Sequence, residues 1–151
     1  MSNLTAPSRP SVNGVVEAAL YVEDLARSTA WYQELFGWER ELANEFICVF
    51  RVADRQVLIL FPRSIAHQPP PATPPPIAFS GTIPGHGGNG RMHVAFAISA
   101  SDLTMWEERL GAKGIPVESK VYWRRGGYSL YFRDPDQNLV ELITPGLWSN
   151  Y

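Results

Sequence analysis

The stretch Tyr128-Ser129-Leu130-Tyr131-Phe132-Arg133-Asp134-Pro135-Asp136-Gln137-Asn138-Leu139-Val140-Glu141-Leu142 decides how this chain is read. Two strand-like runs, Tyr128 to Phe132 and Leu139 to Ile143, flank a polar segment whose Asp, Pro and Asn residues favour a tight turn. Glu141 is the exception within the second run. A lone carboxylate among Leu139, Leu142 and Ile143 is costly to bury, so it either faces water on a sheet edge or holds a cation.

Working outward, Met92 to Ile98 reads as a strand and Leu103 to Lys113 as an amphipathic helix, with Asp102 as its expected N-cap and Gly114 as its stop. Val117 to Trp123 supplies one more strand before the quoted segment, so this half has the order βαβββ. The same order appears upstream. Val15 to Val22 is a strand, Asp24 caps a helix over Leu25 to Phe36, and Gly37 ends it; Trp38 to Leu42, Phe46 to Val52 and Gln56 to Phe61 are three further strands. Val16 to Leu20 lies over Met92 to Phe96, and Gln56 to Leu60 over Asn138 to Leu142, which points to an internal duplication.

The expected organisation is an arm over residues 1–13, a first module over 14–61, a linker over 62–90, a second module over 91–146 and a tail over 147–151. Together they make one structural domain. The linker holds eight prolines and five glycines and lacks helical or strand periodicity. Its Pro69 to Pro76 part reads as extended, its Gly81 to Gly90 part as mobile, and either could cover a site. His67 and His86 fall within it and are expected to be exposed, His86 being placed where a lid-borne proton donor could act.

A chain of 151 residues has room for a real core. The net charge of −2, without any Lys/Arg run, argues against nucleic acid and points to a small-molecule partner. A single cysteine, Cys48, allows no intrachain disulfide, and no run approaches the ~20 apolar residues of a membrane span. The expectation is a cytoplasmic protein with no membrane or nucleic-acid partner.

Side chains alternate faces along a strand. With Val16, Ala18, Leu20 and Val22 turned toward the first helix, Glu17, Ala19 and Tyr21 face the hollow of the sheet; with Met92, Val94, Phe96 and Ile98 turned toward the second, His93, Ala95 and Ala97 do. Glu17 and His93 are then equivalent positions of the repeat, as are Ile59 and Glu141. One imidazole and two carboxylates suit a single divalent cation (Mn²⁺, Fe²⁺, Co²⁺, Ni²⁺ or Zn²⁺), and three protein ligands leave coordination positions open for substrate. Among nearby residues, Arg124 and Arg125 could clamp an anionic substrate or simply form a solvated hairpin, and Trp123 could close a pocket.

The duplicated βαβββ order, Tyr21-Val22-Glu23-Asp24-Leu25, Trp31 to Gly37, His93-Val94-Ala95-Phe96, and Ser129 to Asp136 with Glu141 resemble the vicinal oxygen chelate superfamily. That superfamily includes glyoxalase I, fosfomycin thiol transferases, type I extradiol dioxygenases and bleomycin resistance proteins. The resemblance implies an α+β fold in which two tandem βαβββ modules form a cupped mixed sheet around a metal and substrate cavity. It places metal ligands at Glu17, His93 and Glu141, with Glu17 standing where histidine is usual. Catalytic roles fall to Tyr131 and Glu141, and substrate contact to Ser129.

The glutamate that glyoxalase I carries as a further ligand falls at Ile59, which disfavours typical glyoxalase I chemistry. The leading reading is a metal-dependent enzyme acting on a small oxygen-bearing substrate, its reaction class open between lyase, isomerase, transferase and dioxygenase. The alternative is a metal-free, drug-binding resistance protein; Fe²⁺-dependent ring cleavage ranks third. A homodimer is expected, its contact surface formed by the aromatic-rich helical segments.

Overall fold

Asp24 and Gly37 delimit the first helix as their chemistry requires. The Asp24 carboxylate accepts from the Arg27 backbone N–H at 2.9 Å, and Gly37, at φ 73°, donates its N–H to the Gln33 carbonyl. The computed structural model describes residues 10–65, 80–81 and 83–151; Pro69 to Pro76 and His67 lie outside them. In chain order the elements are β1 (Glu17–Val22), α1 (Leu25–Phe36), β2 (Arg40–Ala43), β3 (Cys48–Ala53), β4 (Gln56–Pro62), β5 (His93–Ala97), α2 (Leu103–Ala112), β6 (Ser119–Tyr122), β7 (Tyr128–Arg133) and β8 (Leu139–Ile143). Single 3₁₀ turns cover Arg63–Ile65 and Ala100–Asp102. The second helix departs from expectation at its start: Asp102 closes the 3₁₀ turn with helical backbone and makes no side-chain cap, its carboxylate accepting from Ser101 instead.

The repeat is reproduced strand by strand. Each module forms a four-stranded mixed sheet, ordered β1-β4-β3-β2 and β5-β8-β7-β6, with its first and last strands parallel and the rest antiparallel. The registers are equivalent: Ala19 lies opposite Ile59, and Ala95 opposite Glu141. Among the described residues, β1 and β5 therefore each end a sheet with one free edge.

Leu20, Val22, Tyr32, Leu35, Phe50, Leu58, Leu60, Leu110, Leu130, Phe132, Val140 and Leu142 form one core shared by both modules. The helix-facing residues of both sheets meet there, so the opposite faces, which carry Glu17 and His93, are left outward and open. Phe36, Trp38, Phe96 and Trp106 pack together against this core. The aromatic residues expected to offer a dimer surface are thus largely spent inside the chain, because the two modules need them to cover each other.

Polar contacts weld the modules. The buried Tyr32 of α1 donates to Asp134 Oδ2 at 2.9 Å, Ser28 donates to Asp136 Oδ2 at 2.7 Å, and the Glu23 N–H donates to Asp136 Oδ1 at 2.7 Å. In return, Arg109 of α2 donates to the Glu34 and Leu35 carbonyls at the end of α1, groups that have no partner within the helix. Cys48 is buried on β3, and burial raises its thiol pKa, which suits an inert packing role.

Burial first, and then the Asp134 carboxylate, holds the Tyr32 phenol well above its ordinary pKa. A folded-state pKa above the unfolded value of about 10 gives a contribution fully present below that value and lost progressively above it. Tyr32→Phe should lower stability by about 2 kcal/mol at neutral pH, and the gap to wild type should narrow above pH ~10. Urea unfolding of both proteins at neutral and alkaline pH measures this; a gap that is constant or grows with pH would contradict it.

Candidate metal centre

β8 lies between β5 and β7, so Glu141 is not on a sheet edge, and it is only 4 % exposed. Its carboxylate is instead met by partners from both neighbouring strands. Tyr131 sits directly opposite in the antiparallel pair and donates its hydroxyl to Oε1 at 2.8 Å, while Ser129, two residues earlier on the same face, donates to the same oxygen at 2.6 Å. On the parallel side Ala95 is opposite Glu141, and His93, two residues before it, places Nε2 at 3.0 Å from Oε2. One carboxylate oxygen is thus held by hydroxyls and the other faces an imidazole.

The His93 side chain is half exposed, and Ala95 and Ala97 beside it are exposed, so the paired donors open onto an uncovered face. Two metal bonds of about 2.1 Å at right angles place their donor atoms about 3 Å apart. The His93–Glu141 pair already has that spacing, so these two residues fit a divalent cation. Burial, and after it the hydrogen bond to Glu141, raises the Tyr131 phenol pKa above its usual value; Tyr131 Oη therefore keeps its proton at neutral pH.

Glu17 is elsewhere. It is exposed on β1, opposite Val57 as His93 is opposite Leu139, and so occupies the equivalent place in the other sheet. Among the described residues, no three His, Cys, Asp or Glu side chains of one chain gather closely enough to hold a metal. Ile59 is 8 % exposed on β4 and offers no donor atom at the position equivalent to Glu141.

Of the residues singled out for substrate, the structure gathers some and leaves others apart. Ser129 is fully buried, and its hydroxyl is engaged by Glu141 and by Trp123, whose Nε1–H donates to Ser129 Oγ at 2.7 Å. Ser129 thus supports the carboxylate rather than standing free for a ligand. Arg124 and Arg125 are exposed in the β6–β7 turn. That turn is closed by Trp123 N–H to the Gly127 carbonyl and Gly126 N–H to the Trp123 carbonyl, each 2.8 Å. Gly127 is required at its end, since a Cβ there would lie 2.9 Å from the carbonyl carbon of Gly146.

The Trp123–Ser129 contact was not readable in the sequence, because it depends on the hairpin register. Nor was a second contact between residues far apart in the chain. The exposed His86 hydrogen-bonds the Tyr21 hydroxyl through Nδ1 and stands edge-on to Phe61, with ring centroids 4.9 Å apart. A Cβ at Gly88 would meet the Tyr21 ring at 2.7 Å. The end of the linker thus lies on the first module's open face.

The sequence profile of the Glyoxalase/Bleomycin resistance protein/Dioxygenase superfamily matches residues 14–142. Similar solved structures include a lactoylglutathione lyase from Agrobacterium tumefaciens, 33% identical, with a TM-score of 0.79 over 93% of this chain and 99% of that one. The fosfomycin resistance protein FosX from Mesorhizobium loti is 21% identical, with a TM-score of 0.61 over 91% of this chain and 96% of its own. A mutant FosX from Listeria monocytogenes, complexed with Mn(II) and 1S,2S-dihydroxypropylphosphonic acid, is 22% identical, with a TM-score of 0.61 over 87% of this chain and 90% of that one. The likeness to the FosX structures is one of fold. No curated protein matches the chain.

Gly127→Ala should force the β6–β7 turn away from the Gly146 backbone, which cannot yield as a flexible side chain does. The expected cost is about 1–3 kcal/mol, the usual penalty for overpacking, read as a lower urea midpoint. An unchanged midpoint would show that the turn has more room than these contacts allow.

Proposed function

The chain belongs to the Glyoxalase/Bleomycin resistance protein/Dioxygenase superfamily, and from that premise we propose that it is a divalent-metal-dependent enzyme acting on a small substrate with two neighbouring oxygens. The observation that carries this is the His93–Glu141 pair: a buried carboxylate, oriented by two hydroxyls, with its free oxygen and an imidazole at 3.0 Å on an open face. An apolar residue would fill that strand position at less cost, as Ile59 does in the other half.

His93 Nε2 and Glu141 Oε2 would hold the cation, and Glu17 is the third donor. Since one chain does not bring Glu17 to the pair, a second copy supplies it, and the assembly is a homodimer with two equivalent shared sites. When bound, the cation would act as a Lewis acid that polarises a substrate oxygen. The chain's own contribution is orientation and proton placement. Ser129 and Tyr131 turn Glu141 so that Oε2 faces outward; the single Tyr131 Oη proton is given to Glu141 Oε1, and it reaches a developing oxyanion only by turning away from that oxygen. A metal-free binding role has no comparable observation in its favour.

The 33% identical lactoylglutathione lyase makes the glutathione–methylglyoxal hemithioacetal the first substrate to assay. Ile59 has no group to move a proton, so turnover of that adduct should be weak or absent. A rate in the ordinary range of ~1–10³ s⁻¹ would overturn this reading of Ile59.

Glu17→Ala, His93→Ala and Glu141→Ala should each abolish stoichiometric uptake of Mn²⁺, the cation in the FosX complex. The two-chain site has its own signature. Mixing unfolded Glu17→Ala and His93→Ala chains and refolding them together should restore about a quarter of the wild-type sites, because half the dimers then hold one intact donor set. No restoration would place all three donors in one chain, whereas full uptake by Glu17→Ala alone would remove Glu17 from the set.

A further inference from the structure

The groups behind Glu141 settle where one proton must lie. An indole N–H can only donate, so at 2.7 Å from Trp123 Nε1 the Ser129 hydroxyl is obliged to accept. Its single proton is then free to point elsewhere, and Glu141 Oε1 stands 2.6 Å away. Ser129 is fully buried, so the hydroxyl is closed off from bulk solvent. Trp123 is itself held at the end of β6 by the closed turn and the tight Gly127–Gly146 approach.

We infer that Trp123 is a positioning residue for the catalytic carboxylate: by forcing the Ser129 proton onto Glu141 Oε1, it assigns Oε1 to the interior and leaves Oε2 for His93 and the cation. This rests on the proposed metal-binding role of His93 and Glu141. It also gives Trp123 a task different from closing a substrate pocket. Without the indole N–H, the serine hydroxyl can rotate to other acceptors, and the carboxylate loses one of the two bonds that fix its roll.

The test is a double-mutant cycle read by Mn²⁺ binding, with free Mn²⁺ followed by electron paramagnetic resonance. Trp123→Phe keeps an aromatic ring, though a smaller one, and removes the donor; it should weaken Mn²⁺ binding about tenfold, the lower end of what supporting groups behind a metal ligand contribute. In a Ser129→Ala background the same change should have little further effect, because the pathway is already cut. Equal effects in both backgrounds, or none in either, would overturn the inference while leaving the metal reading intact. Wild-type protein that takes up no Mn²⁺ or other divalent cation would overturn both.

A second measurement stands apart from metal. In the metal-free protein, the Trp123 indole N–H resonance, assigned in the wild-type spectrum by through-bond and through-space correlations, should shift in Ser129→Ala. A resonance that does not move would show that the indole is not bonded to the serine and would remove the inference, even if Trp123→Phe itself failed to fold.

Discussion

The buried carboxylate of Asp134 is the contact on which the rest of the architecture depends. At 2 % exposure it accepts four hydrogen bonds: from the backbone N–H groups of Asp136 and Asn138, the Asn138 side-chain amide, and the Tyr32 hydroxyl. Three of these lie within the β7–β8 turn, and the last reaches into the other module. Asn138 extends the network by accepting from the Met92 N–H, at the doorstep of β5. One group therefore sets the turn that aligns Tyr131 with Glu141, the start of the strand that bears His93, and the docking of α1. A buried carboxylate is stable only when so completely bonded, which makes the arrangement all-or-none.

This docking decides which sheet faces are hidden. Both helix-facing surfaces are consumed in the common core, and Arg109, by satisfying the last carbonyls of α1, fixes the second helix against the first. The faces carrying Glu17 and the His93–Glu141 pair are left outward, and among the described residues β1 and β5 keep unpaired edges. Open strand edges invite pairing with another chain. The same packing that gives one chain a core thus leaves Glu17 apart from the His93–Glu141 pair, and the logic of the proposed dimer follows from that division rather than from an apolar helix surface.

The two halves also show what duplication permits. At equivalent positions the first sheet has Ile59 where the second has Glu141, in matching register. The isoleucine needs nothing around it. Glu141 needs Ser129, Tyr131 and His93, and Ser129 in turn is met by Trp123. The buried carboxylate of one half is thus surrounded by supporting residues that the other half does without, while the linker end carrying His86 and Gly88 lies over Tyr21 in the half without them.

Much of this was legible in the sequence, for definite reasons. Local signals act over a few residues: Asp24 and Gly37 bounded α1 correctly, period-two alternation located β7, and the repeat paired Glu17 with His93 and Ile59 with Glu141. The anomaly of Glu141 was visible too, since a carboxylate in an apolar run is conspicuous whatever surrounds it. Asp102 marked the start of α2, but the 3₁₀ turn before it leaves it in helical backbone and its side chain makes no capping bond. Everything that decides the site's working geometry lay beyond that range. Whether β8 was central or at an edge, that Ser129 faces a carboxylate rather than solvent, that the Trp123 indole N–H reaches Ser129, and that Glu17 stands apart from His93 and Glu141 are all consequences of strand order and module docking. Such contacts join residues from separate elements, and only the tertiary structure, by closing the chain around Asp134 and Tyr32, determines which of them meet.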